Sequence, residues 1–144
     1  VDDTVFFPYE SSTKTKHAEQ YAKQKQLSPD TKFALFAGRL HPQKDPILLV
    51  RSFQHLKDLN LHLLLVGEGE LQEEILEEIE KLNLSENISV LGKLNQTELA
   101  HLHRISSMFI LCSRYEGLPL VALESLASGT PVITSNAGET PRLL

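Results

Sequence analysis

Two glutamates, Glu116 and Glu124, stand eight positions apart in the stretch "SRYEGLPLVALES", residues 113–125. Between Gly117 and Gly138, Glu124 is the one side chain with a formal charge at neutral pH. A lone carboxylate in an apolar run is costly unless hydrogen-bond donors satisfy it. Carboxylates converging on a cleft accept hydrogen bonds from sugar or ribose hydroxyls. The alternative makes Glu116 a loop charge with capping character and pairs Glu124 with a core arginine. A second set of charges lies upstream, where Gly38-Arg39-Leu40 follows the apolar run Phe33–Ala37 and Lys44 comes five residues after Arg39. A planar guanidinium fork beside a mobile ammonium suits a diphosphate. Ordinary solvated loop charges are the competing reading. Asp45, ahead of Pro46, has the place of a helix N-cap.

Other chemistry-bearing residues carry less. Gly67-Glu68-Gly69 follows an apolar run and allows close backbone approach by a ligand, yet Leu71-Gln72 stand where the dinucleotide fingerprint needs a third glycine. The phosphate-loop pattern of nucleotide hydrolases is missing as well. Gly92-Lys93-Leu94 could line a base pocket or form a plain turn. His101 and His103 sit at i, i+2 of a helical segment and point apart, a poor arrangement for a metal. The lone Cys112 ends a strand and reads as a small core residue. There is no Asp-x-Asp to anchor a metal-bound diphosphate, so no metal is expected.

Five β-rich runs must position these groups: Phe33–Ala37, His62–Val66, Ile88–Leu91, Met108–Cys112 and Pro131–Thr134. Helical segments separate them. One starts at Asp45-Pro46 and runs to about Lys57, and an amphipathic one covers Gln72–Leu82. A third has Thr97 in its first turn. A fourth opens at Leu118-Pro119, carries Glu124 on the side of Leu120 and Ala127, and is closed by Gly129. Strands this apolar, alternating with helices, predict a doubly wound, mostly parallel Rossmann-like α/β sheet with helices on both faces. Its ligand belongs outside the carboxyl ends of the strands.

The 144 residues suit one domain, with 41% hydrophobic and 23% charged residues typical of a globular protein. A net charge of -5 with scattered basic residues argues against nucleic acid as a partner. One cysteine and no visible signal peptide favour a reducing, cytoplasmic setting. No apolar run approaches the roughly 20 residues that span a bilayer. Both ends look cut: residues 1–30 read as a connecting segment with a surface helix, residues 31–144 as the core, and a further helix begins at Pro141.

The motifs "FAGRLHPQKDPILLVRSFQHL", "LHLLLVGEGE", "ISVLGKL" and "FILCSRYEGLPLVALESLASGTPVITS" resemble, in order and spacing, the nucleotide-sugar-binding C-terminal domain of family 4 retaining glycosyltransferases of the GT-B fold. The likeness covers nearly all of residues 33 to 138 and makes the opening "VDDTVFFP" the segment after the interdomain hinge. It implies that Arg39 and Lys44 grip the donor diphosphate. It further implies that Glu116 binds hydroxyls of the transferred sugar and Glu124 those of the nucleotide ribose. Gly38, Gly67, Gly117, Leu118 and Leu120 would approach the donor, and Lys93 and Leu94 would lie by the base. Arg39, Lys44 and Glu116 would carry catalysis, with a nucleotide sugar as co-substrate and no cofactor. The acceptor site, and any membrane contact, would belong to an N-terminal domain of the same chain, leaving this part inactive alone. Three departures stand out: Asp45 replaces a usual glycine, Pro119 offers no backbone N–H, and Cys112 replaces a common proline. A non-catalytic nucleotide-sugar-binding module and a GT-B nucleotide-sugar epimerase are the alternatives.

Overall fold

The computed structural model describes residues 1–115 and 119–135. Glu116, Gly117 and Leu118 lie outside the described residues, as does the helix expected to begin at Pro141.

The elements in chain order are α1 (Ser11–Gln24), β1 (Lys32–Ala37), α2 (Pro46–Phe53), β2 (Leu61–Val66), α3 (Gln72–Lys81), β3 (Ile88–Gly92), α4 (Gln96–Ile105), β4 (Met108–Leu111), α5 (Leu120–Ala127) and β5 (Val132–Thr134). The strands form one sheet of order β3-β2-β1-β4-β5, and every pairing is parallel. The expected doubly wound architecture is therefore the observed one, with strand bounds shifted by about one residue.

Alternation along β1 and β2 divides the core between two faces. Ala34, Phe36, Leu63 and Leu65 pack under α2 and α3, against Val50, Phe53, Ile75 and Ile79. Phe33, Leu35, Leu64 and Phe109 face the other way, toward Ala22 of α1, Leu102 and Ile105 of α4, and Ala122 of α5. Both faces of the central strands are thus dry, which is why they read as continuous apolar runs.

Two helix ends were legible. Asn95 caps α4 through a reciprocal box with Glu98, each side chain meeting the other's backbone N–H. At the end of α5, Gly129 takes φ +77°; its N–H bonds Leu126 O, and the Thr130 N–H bonds Ser125 O. This is the paired pattern of a left-handed terminator. α2 ends earlier than the expected Lys57. After Phe53 the N–H groups of Gln54, His55 and Leu56 bond carbonyls three residues back, a tightened coil that lets Leu56 pack on the core.

The close spacing of β1 and β2 continues past their ends. Gly38 N–H donates to Val66 O, Leu40 N–H to Glu68 O, and Leu71 N–H to Leu40 O. Gly67 has φ +140°, and a Cβ there would lie 1.8 Å from Gly38 O. That distance is inside the oxygen itself, so glycine is obligatory. The structure corrects the expected purpose of Gly67: its bare backbone makes room for the β1–α2 loop. Gly67→Ala should destabilise the domain by about 3 kcal/mol or more, or abolish folding, as read by urea unfolding. An unchanged midpoint would contradict this packing.

Candidate functional site

The strand order turns back between β1 and β4, and the largest hollow among the described residues opens beside this switch point, at the carboxyl edge of the sheet. It has a volume of about 810 Å³. Gly38 and Arg39 after β1, Gly67 to Gly69 after β2, and Lys93 and Leu94 after β3 form its walls, with Val121 of α5 opposite.

Of the predicted residues, Gly38, Arg39, Gly67, Lys93 and Leu94 are brought together here. Lys44 runs alongside: its methylene carbons would meet a Cβ on Gly38 at 3.8 Å. Lys93 Nζ lies 4.0 Å from Glu68 Oε1, both well exposed, an ion pair of small energetic weight. The Leu120 side chain is exposed and does not line the hollow; Val121 does.

The loop ahead of Glu116 is bound to the loop that carries the cations. Arg114 N–H donates to Gln43 O at 2.8 Å, and Gln43 Nε2 donates to Tyr115 O at 3.2 Å. Arg114 Nε lies 3.3 Å from Asp45 Oδ2. The first and fourth crossovers therefore meet directly, through residues on either side of Lys44 and immediately before Glu116.

Asp45 is the expected cap, accepting from Leu48 N–H at 3.4 Å. It does so at φ +48°, ψ +52°, the left-handed region. Glycine enters that region freely, whereas aspartate enters it at a cost offset by its hydrogen bonds. The carboxylate that seemed an intrusion near the cations is thus engaged by Arg114 and the helix N-terminus.

Glu124 lies one turn beyond Val121, on the same side of α5. Its side chain is 20% exposed, and burial raises its pKa. Its ionisable neighbour is not the core arginine considered above: Arg104 Nη1 instead donates to Val5 O at 2.7 Å. The neighbour is His103, whose Nε2 lies 4.0 Å from Glu124 Oε2. His103 is completely buried, with Phe6 edge-on and Phe109 tilted against its ring. Neither ring nitrogen has a hydrogen-bond partner among the described residues. Burial lowers its pKa to about 4, with the Arg104 charge acting in the same direction. Reading His101 and His103 as equivalent surface histidines misses this. His101 bonds the Tyr9 hydroxyl through Nδ1 at 3.0 Å, while His103 lies three residues after the buried Ala100 on the core side of α4. That register was the available signal. Cys112 is a partly buried core residue as expected, its thiol pushed up to about 11 by burial and then by the Asp45 charge.

An all-parallel, doubly wound sheet with a cation-bearing hollow at its switch point defines a Rossmann-like α/β domain. Within that class, the model of the family Glycosyl transferases group 1 matches residues 17–144, and the chain belongs to this family. MJ1059, an uncharacterized glycosyltransferase of Methanocaldococcus jannaschii, is 36% identical over 107 residues, covering 73% of this chain and 26% of that protein. The chain thus spans about a quarter of this relative's length. The C-terminal domain of the group 1 glycosyl transferase LpcC from Francisella tularensis superposes with a TM-score of 0.81 at 23% identity, over 100% of this chain and 74% of that one. Anabaena Alr3699/HepE superposes with a TM-score of 0.83 at 19% identity, over 100% of this chain and 39% of that one. Both structures share the fold. No helix among the described residues is long and apolar enough to cross a membrane.

Two outcomes follow from Asp45 and His103. Asp45→Ala should lose about 2 kcal/mol, the cap and the left-handed backbone costing about 1 each, whereas Asp45→Gly should stay within about 1 kcal/mol of the parent. Thermal melts of the pair check this. The folded pKa of His103, about 4, lies below the ordinary value of 6.5, so its contribution is complete above pH 6.5 and is lost as pH falls toward 4. At most about 3 kcal/mol is at stake. Denaturant midpoints measured from pH 7 to pH 4 should fall, and His103→Phe should flatten the decline.

Proposed function

We propose that this chain is the donor-binding domain of a retaining glycosyltransferase, which moves a sugar from a nucleotide diphosphate sugar to an acceptor hydroxyl. The carrying observation is the hollow at the switch point: Arg39 lines it, Lys44 runs alongside, and the loop before Glu116 is hydrogen-bonded to the residue before Lys44. Family membership supports the reading. So does the HepE fold relative, which has been solved with UDP-glucose.

On this reading the bond between the sugar's anomeric carbon and the β-phosphate oxygen breaks, and the electron pair leaves with the phosphate. Arg39 and Lys44 face that growing charge, a preorganised electrostatic role that needs no metal from this chain. Glu116 holds hydroxyls of the departing sugar, and Glu124 accepts from the ribose. Lys93 and Leu94 border the base. The acceptor oxygen bonds to the anomeric carbon with configuration retained, and the acceptor's proton passes to the leaving phosphate. An N-terminal domain of the same chain supplies the acceptor site, so residues 1–144 alone bind donor without turning it over. The membrane, if approached at all, is met by that domain.

Calorimetric titration of the full-length protein with UDP-, GDP- and ADP-sugars should reveal one preferred donor, followed by acceptor-dependent transfer. Binding without transfer would identify a non-catalytic module, and a rearranged donor an epimerase. Arg39→Ala and Lys44→Ala should each lower turnover by about 100-fold, on the order of 3 kcal/mol of transition-state stabilisation. Glu116→Ala should cut turnover severely, and near-parental activity would overturn its role. Absence of binding to every donor would overturn the whole reading.

A further inference from the structure

Buried polar atoms are almost always paired, and an unpaired one in a folded protein asks for an explanation. Both ring nitrogens of His103 are buried without a hydrogen bond among the described residues, and the carboxylate oxygen of Glu124 lies 4.0 Å from Nε2. We infer that His103 is a positioning residue for donor binding, whose Nε2–H holds and orients the Glu124 carboxylate toward the ribose hydroxyls. The inference rests on the donor-site reading above and assigns a task to a residue that reading leaves idle.

The neighbouring elements fix the imidazole. Phe6 and Phe109 confine the ring, while Thr130 Oγ1 donates to the His103 carbonyl and ties this turn of α4 to the segment after α5. Little rotation is left to the histidine. Glu124 is freer: its side chain retains 20% exposure and lies on the same side of α5 as Val121, which lines the hollow. A neutral imidazole carries its proton on one nitrogen, and the neighbouring acceptor stands on the Nε2 side. A shift of about 1 Å by the carboxylate closes the gap to a hydrogen bond. The second carboxylate oxygen then stays available to accept from the ribose. Without such a donor the Glu124 side chain samples several rotamers, and ordering it lowers the affinity.

The test uses the full-length protein titrated with UDP, GDP and ADP, and with the 2′,3′-dideoxy form of whichever binds. His103→Phe preserves ring packing and removes the N–H; His103→Gln restores a donor at the Nε2 position. His103→Phe should bind the nucleoside diphosphate about tenfold more weakly and bind the dideoxy form unchanged. His103→Gln should recover most of the loss. Once Glu124→Gln is present, adding His103→Phe should weaken binding no further. A merely structural histidine would shift both ligands together. Undiminished preference for the ribose hydroxyls in His103→Phe overturns this inference alone, whereas failure of the unsubstituted protein to bind any nucleoside diphosphate overturns the donor-site reading with it. Should His103→Phe not fold, nitrogen NMR of the histidine-labelled unsubstituted protein decides: a proton on Nε2 that responds to Glu124→Gln supports the assignment, and a proton on Nδ1 overturns it.

Discussion

The carbonyl oxygen of Gly38 occupies the space in which a side chain at residue 67 would begin. Around that contact, the backbones leaving β1 and β2 stay hydrogen-bonded beyond the sheet, from Gly38 and Val66 through Leu40 and Glu68 to Leu71. The loop bearing Arg39 is therefore held by main-chain bonds on its inner side. Rigid backbone under a charged side chain fixes where the charge can reach, and preorganisation of that kind is what electrostatic catalysis requires. Arg39 can border the hollow because two glycines let two loops share one volume.

A second constraint joins distant parts of the chain. Gln43 and Arg114 are separated by most of the sheet's sequence, yet they adjoin because β1 and β4 are neighbours at the switch point. The order 3-2-1-4-5 brings the end of the first strand and the end of the fourth side by side, so residues from either crossover reach one cleft. Asp45 shows the local adjustment involved. A left-handed residue at the start of α2 turns the chain, and the aspartate both caps that helix and receives Arg114.

Much of this was readable in the letters. Apolar runs of strand length, alternating with amphipathic segments, indicated the layer order, because strands buried on both faces exclude polar residues. Gly129 and the Asp45-Pro46 pair marked helix ends through fixed backbone requirements. The early end of α2 was not readable, since Arg51 to Lys57 has helical composition and only the packing of Leu56 ends the helix. The role of Gly67 was misread for a related reason. A glycine signals close approach without naming what approaches, and here it is the chain itself. His103 and His101 have the same letter two positions apart, and their difference arises entirely from which side of α4 faces Phe6 and Phe109.

The segment running from Val5 to Tyr9 has a mechanical position in this arrangement. Arg104 holds its Val5 carbonyl while stacking over Phe7 and Tyr9; Tyr9 is bonded to His101, and Pro8 abuts the glycine that terminates α5. Sliding this strip along the domain would strip a guanidinium of its acceptor and press on the turn behind Glu124. The peptide leading into the fold thus behaves as a tendon fastened to both helices on that face, and tension along it is delivered to the far side of the cleft without passing through the sheet.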